Sequence, residues 1–161
     1  MWILVLILSV FYFISQNKYK EQSNMAVERS KFFLQKQIPF RQNEALEKQF
    51  ETGHQFLLIL DENKALGFAG FELSYDTTNT KLHKLYVLPE TQGKGLGVVL
   101  LNAVERAANA ANQQSIILNV NRYNKAFDFY KKHGFEVICR EDIDIGNGYF
   151  MNDYVMEKKL D

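Results

Sequence analysis

The run Leu85-Tyr86-Val87-Leu88-Pro89-Glu90-Thr91-Gln92-Gly93-Lys94-Gly95-Leu96-Gly97 (LYVLPETQGKGLG) decides the reading of this chain. It begins inside an alternating strand pattern, Lys81–Leu88, with Leu82 and Lys84 on one face and His83, Leu85 and Val87 on the other. Pro89 ends that strand. Beyond the glycines, apolar residues fall at Leu96, Leu100, Ala103, Val104, Ala107 and Ala111, one face of a helix. Gln92-Gly93-Lys94-Gly95-Leu96-Gly97 is therefore a strand-to-helix turn. Glycines let a ligand approach the backbone, and a helix N-terminus presents unpaired N–H groups with partial positive charge. The combination suits an anion such as a pyrophosphate, although glycines alone fit an ordinary turn equally well. A Walker loop is excluded because Val98-Val99 follow Gly97 where Lys and Ser/Thr would stand. A dinucleotide fingerprint starting at Gly93 is excluded by Val98.

Upstream, Gln55–Leu60 and Ala65–Ser74 read as strands joined at Asp61-Glu62-Asn63-Lys64, and Tyr75–Thr80 as a loop. Downstream, Ser115–Val120 reads as a buried strand and Asn124–His133 as a helix closed by Gly134. Phe135–Ile145 and Tyr149–Lys158 read as strands around Gly146-Asn147-Gly148. The order after residue 54 is β-β-β-α-β-α-β-β, an α/β layout.

Lys and Arg together number 19 against 19 Asp and Glu, so a nucleic-acid partner is not expected. The single cysteine, Cys139, cannot form an internal disulfide, and no Cys/His spacing suggests a metal. Cys139 reads as a half-buried strand residue, with Arg140 on the opposite face.

The apolar stretch 1–14 (MWILVLILSVFYFI) is shorter than a spanning helix needs and lacks signal-peptide flanks. It reads as a strand-like edge element of a cytoplasmic protein. The alternatives are a membrane anchor and an atypical start. In the anchor case Lys18, Lys20, Arg29, Lys31 and Lys36 keep the rest of the chain in the cytoplasm. Residues 16–37 read as weak helix, Pro39 as a breaker, and Asn43 as the N-cap of a short helix. The domain division is 1–24 as an atypical N-terminal segment and 25–161 as the functional domain.

LYVLPETQGKGLG resembles motif A of the GNAT acetyltransferases, with Gln92, Gly95 and Gly97 at its fixed positions. LNVNRYNKAFDFYKKHGFE (118–136) is similar to their motif B, through Asn124, Ala126, Phe129, Tyr130, Gly134 and Phe135. The ending EDIDIGNGYFMNDYVMEKKL (141–160) resembles bacterial members near the polyamine-acetylating branch. The resemblance implies a mixed, mostly antiparallel sheet with helices on both faces and strands splayed at the cofactor site. It implies acetyl-CoA as co-substrate and direct acetyl transfer to a primary amine on a small molecule, polyamine or peptide N-terminus. A homodimer is compatible with it. The backbone of Leu85, Tyr86 and Val87 would pair with the pantetheine arm. Gln92 stands at the head of the turn, and the amides of Gly93, Lys94, Gly95, Leu96, Gly97 and Val98 would hold the pyrophosphate. Asn119 and Asn124 would contact the cofactor, and Tyr130 would protonate the departing thiolate.

An amine nucleophile must lose a proton, and His83 is the candidate base, with Glu72 as runner-up. His54 and His133 read as surface or cap residues. Phe68, Phe71, Tyr75 and Tyr86 read as core or acceptor-cleft wall. The resemblance departs at the N-terminus, where relatives carry a polar turn after the first strand. The alternative function is a catalytically weak acetyl-CoA-binding module, tethered to a membrane through 1–14.

Overall fold

The computed structural model describes residues 4–8, 52–61, 64–147 and 149–161. The weak helix over 16–37, the Asn43 cap and the ends of the 1–14 run lie outside these residues. The chain forms two compact units. The first comprises Met1–Phe71 with Lys84–Val104, and the second Glu72–His83 with Glu105–Asp161.

In the first unit, β1 (Leu4–Leu8) pairs antiparallel with β2 (Gln55–Asp61), from Leu4 opposite Leu60 to Leu8 opposite Phe56. A strand was expected in 1–14, and Leu4–Leu8 forms one. Among the described residues no helix is long and apolar enough to cross a membrane. β2 pairs antiparallel with β3 (Lys64–Glu72). Phe56, Leu57, Leu58 and Ile59 are at most 1% exposed, so β2 is covered on both faces, and a continuous apolar run is what such a strand requires.

β4 (Asn79–Val87) passes from the second unit into the first. It starts earlier than the sequence suggests. Asn79 and Thr80, expected in the loop, pair with Ser115 and Ile116, and Thr80 is fully buried. A 3₁₀ turn at Pro89–Thr91 follows, and then α1 (Leu96–Ala110). The expected apolar face of α1 is present, but broader. Leu101 and Ala108 are fully buried beside Leu100, Ala103 and Val104, while Ala107 is only half-buried. Each fully buried leucine contributes roughly 1.5–3 kcal/mol. The helix ends with Asn112 at φ 54° and Gln113 N donating to Ala108 O at 3.0 Å, a left-handed closure without glycine.

The second unit holds β5 (Ser115–Asn121), α2 (Ala126–Lys132), β6 (Glu136–Gly146) and β7 (Tyr149–Lys159). β4 and β5 run parallel, β5 and β7 antiparallel, and β6 and β7 antiparallel. α2 is shorter than expected because Asn124 is spent on its start. Asn124 Oδ1 accepts from Ala126 N at 2.9 Å. Gly134 closes the helix at φ 88°, and Phe135, 1% exposed, seals the end.

Cys139 corrects the sequence reading: it is exposed, not half-buried. β6 has β7 on one side only and ends the strand order, so its residues meet solvent. Arg140 lies over the Tyr154 ring, 5.6 Å from its centroid.

Candidate active site

The glycine turn is shaped by α1's first hydrogen bonds. Val98 N and Val99 N donate to Gly95 O at 3.0 and 3.1 Å, which makes Gly95 the entry residue of the helix. Gly95 has φ 79°, and a Cβ placed there would meet nothing within 4 Å. The missing side chain therefore serves backbone conformation and leaves open space for a ligand. The expected amide set narrows. Lys94 N donates to Thr91 O at 3.4 Å, and Val98 N is spent on Gly95. Among the described residues the amides of Gly93, Gly95, Leu96 and Gly97 have no such partner and are available to an anion. Gln92 is exposed, its Nε2 3.5 Å from Val87 O.

Leu85, Tyr86 and Val87 precede this turn on β4. Gly67 of β3 lies directly behind them: a Cβ on it would come within 2.7 Å of Tyr86 O and 3.3 Å of Val87 Cα. Sequence reasoning passed over Gly67. An isolated glycine inside a strand pattern is the signal for such an approach. Backbone cannot step aside as a flexible side chain can. Gly67→Ala is therefore expected to displace the Tyr86–Val87 backbone, where the resemblance puts the pantetheine arm, and so to weaken acetyl-CoA binding by at least tenfold, about 1.4 kcal/mol. Calorimetric titration of that variant checks it. Tyr86 is exposed and packs on Phe68 at 5.8 Å, so these aromatics face outward, whereas Phe71 is fully buried core.

In the second unit, the described pairing of β4 with β5 ends at Leu82–Leu118, although β5 runs on to Asn121. The β4–β5 pairing thus ends in a fork, with Leu82 and Leu118 as its last pair. His83 stands at that fork. Its Nε2 is 3.2 Å from Glu72 Oε2, so the candidate base and its runner-up form one pair. Tyr75, exposed, meets the His83 ring edge-on at 6.0 Å. The loop bearing Tyr75 is held from below: Ser74 N donates to the buried Gln113 Oε1 at 2.8 Å.

Asn119 is more committed than expected. Its Oδ1 accepts from Lys81 Nζ, and its Nδ2 donates to Glu141 Oε2 at 2.8 Å. Lys81 is half-buried, and burial lowers its pKa against the opposing pull of Glu141, Cys139, Asp153 and Asp76. His133 ends α2, with Nδ1 donating to Phe129 O at 2.7 Å, as a cap residue would. His54 is half-buried, with Nδ1 3.1 Å from Thr52 Oγ1.

Tyr130 is 8% exposed on α2. Its ring contacts are Phe129 at 5.3 Å and Phe135 at 5.6 Å. Phe127 packs on Tyr154 at 5.2 Å. Burial pushes the Tyr130 phenol up to about 12. The hydroxyl therefore stays protonated throughout the neutral range. The unfolded phenol ionises near pKa 10. Between pH 10 and 12 the unfolded chain has released this proton and the folded chain has not, so stability falls as pH rises through that window. The expected loss across the window is on the order of 3 kcal/mol. Denaturant titrations at pH 9 to 12 should show a shallower decline for Tyr130→Phe than for the parent chain.

Comparisons with known proteins agree with this geometry. The family model of the acetyltransferase (GNAT) domain matches residues 16–158. An uncharacterised N-acetyltransferase of Bacillus subtilis (strain 168) is 27% identical over 134 residues, covering 83% of this chain and 91% of that protein. The spermidine N(1)-acetyltransferase of Thermoplasma acidophilum is 32% identical over 120 residues, covering 74% of this chain and 68% of that protein. The structure of an aminoglycoside 6'-N-acetyltransferase complexed with coenzyme A shares the fold, with TM-score 0.62 and 19% identity over 84% of this chain and 91% of that one. The mixed, mostly antiparallel sheet with its helices, the turn and the matched domain lead to one assignment: the chain belongs to the GNAT acetyltransferase family, as an N-acetyltransferase with acetyl-CoA as its co-substrate.

Proposed function

We propose that the protein transfers an acetyl group from acetyl-CoA directly to a primary amine, with no acyl-enzyme stage. The observation that carries this reading is the turn at Gly93–Gly97, whose free amides open at the start of α1. These amides hold the pyrophosphate. The backbone of Leu85–Val87 aligns the pantetheine arm as an added strand would, and the thioester lies at the β4–β5 fork. Asn124, its Oδ1 spent on α2, keeps its Nδ2 for the cofactor. Asn119 keeps its place at the fork through Lys81 and Glu141.

His83, paired with Glu72, takes the proton that the acceptor amine must lose to form the amide. Tyr130 faces the departing sulfur. Free thiols ionise near pKa 8.5, well below a phenol pushed to about 12. Complete proton transfer from Tyr130 is therefore uphill. Its work is to hydrogen-bond the sulfur as negative charge develops, and water completes the protonation.

A polyamine acceptor is supported by the likeness to the Thermoplasma acidophilum spermidine N(1)-acetyltransferase. Thiol release from acetyl-CoA, measured over a panel of polyamines, aminoglycosides and short peptides, tests the function. Release that depends on an added amine is expected. Acetyl-CoA binding without amine-dependent release from any member would reduce the protein to a binding module.

A further inference from the structure

Lys81 is a half-buried amine that the proposed reaction does not use as a nucleophile. It sits on β4 two residues before His83, and so on the same face of the strand. Its backbone is level with Ile117 of β5, yet its Nζ donates to Asn119 Oδ1, two residues further along β5. The side chain thus leans along the sheet to the point where β4 and β5 part, one step beyond the Leu82–Leu118 pair. Asn119 is itself fixed by its 2.8 Å bond to Glu141, which turns its carbonyl oxygen toward Lys81. The Tyr75 ring covers the same amine at 5.5 Å.

We propose that Lys81 is an internal acyl acceptor, so that the enzyme acetylates its own Lys81 when no outside amine occupies the fork. This rests on the reading that the thioester lies at the fork. The neutral Nζ attacks the thioester carbonyl carbon, the N–C bond forms, and the C–S bond breaks with its electron pair leaving on sulfur. The amine proton passes to His83 or water, and the thiolate takes a proton from solvent. The products are Nε-acetyl-Lys81 and free CoA. The lowered pKa of Lys81 raises the share of amine that carries a lone pair. The product amide keeps one N–H for Asn119 Oδ1 but removes a positive charge from beside Tyr75 and Glu141.

The test uses the full chain with deuterium-labelled acetyl-CoA and no added amine, followed by mass spectrometry of peptides. Expected is label on Lys81 ahead of the exposed Lys94, Lys125, Lys131 and Lys132. The label should slow when a good acceptor amine is added, and should be lost in Gly95→Val and in Lys81→Arg. An enzyme that releases thiol with outside amines but leaves Lys81 unlabelled overturns the proposal. So does Lys81 label that persists undiminished in Gly95→Val, which would mark it as solution chemistry. If calorimetry finds no acetyl-CoA binding at all, the underlying reading fails and this proposal with it.

Discussion

Replacing Gly95 with valine is expected to abolish acetyl-CoA binding while the fold survives. Gly95 sits at φ 79°, a region that a β-branched residue enters only under strain. The strain is on the order of 1–3 kcal/mol. Nothing lies within 4 Å of the new Cβ, so no core neighbour is displaced. The turn is left with poor choices. If it keeps its shape, the valine methyl groups stand where a phosphate must approach the amides. If it relaxes, Gly95 O moves away from Val98 N and Val99 N, and the first turn of α1 frays. Either way the anion site is lost. The deeper residues of α1, Leu100, Leu101 and Val104, stay fully buried and hold the helix. Calorimetry should therefore show no binding, with a thermal midpoint lowered by only a few degrees. Unchanged affinity would remove the turn from the account.

Tyr130→Phe is expected to lower turnover on the order of 10²–10³-fold, the usual cost of removing one donor aimed at a developing charge. The substitution deletes one oxygen and keeps the ring between Phe129 and Phe135, so packing survives. Acetyl-CoA affinity should change little, because the hydroxyl matters most as the sulfur becomes negative. Steady-state kinetics with a saturating acceptor should show the loss in kcat rather than KM. Parent-like turnover in this variant would return Tyr130 to a packing role.

Much of the fold can be read from local pattern. The strand–turn–helix from residue 81 to residue 110 declares itself because the period changes from two to 3.6 across the glycines. The C-terminal strands and the closure at Gly134 follow from alternation and from one left-handed residue. Other features depend on which strands become neighbours, and local pattern carries no such information. Leu101 lies off the expected stripe and is nonetheless fully buried. Cys139 alternates like a half-buried residue but sits on the outermost strand. Gly67 matters only because the Tyr86 carbonyl passes behind it.

The candidate site divides in the same way. The turn glycines and Tyr130 stand in recognisable strings. Lys81, Asn119 and Glu141 lie on three different strands, separated by 38 and 22 residues, and no string joins them. The same holds for Gln113, which fixes the Tyr75 loop from 39 residues away. The sequence points to Asn119 as a cofactor contact, whereas the structure binds its side chain between Lys81 and Glu141.

An amide NMR titration with acetyl-CoA tests the central claim most directly. The amides of Gly93, Gly95, Leu96 and Gly97 should show the largest shifts, while Lys94 and Val98, already hydrogen-bonded within the turn, should move less. Saturable binding that leaves the resonances of Gly93, Gly95, Leu96 and Gly97 in place would contradict the account, because the pyrophosphate would then be held elsewhere.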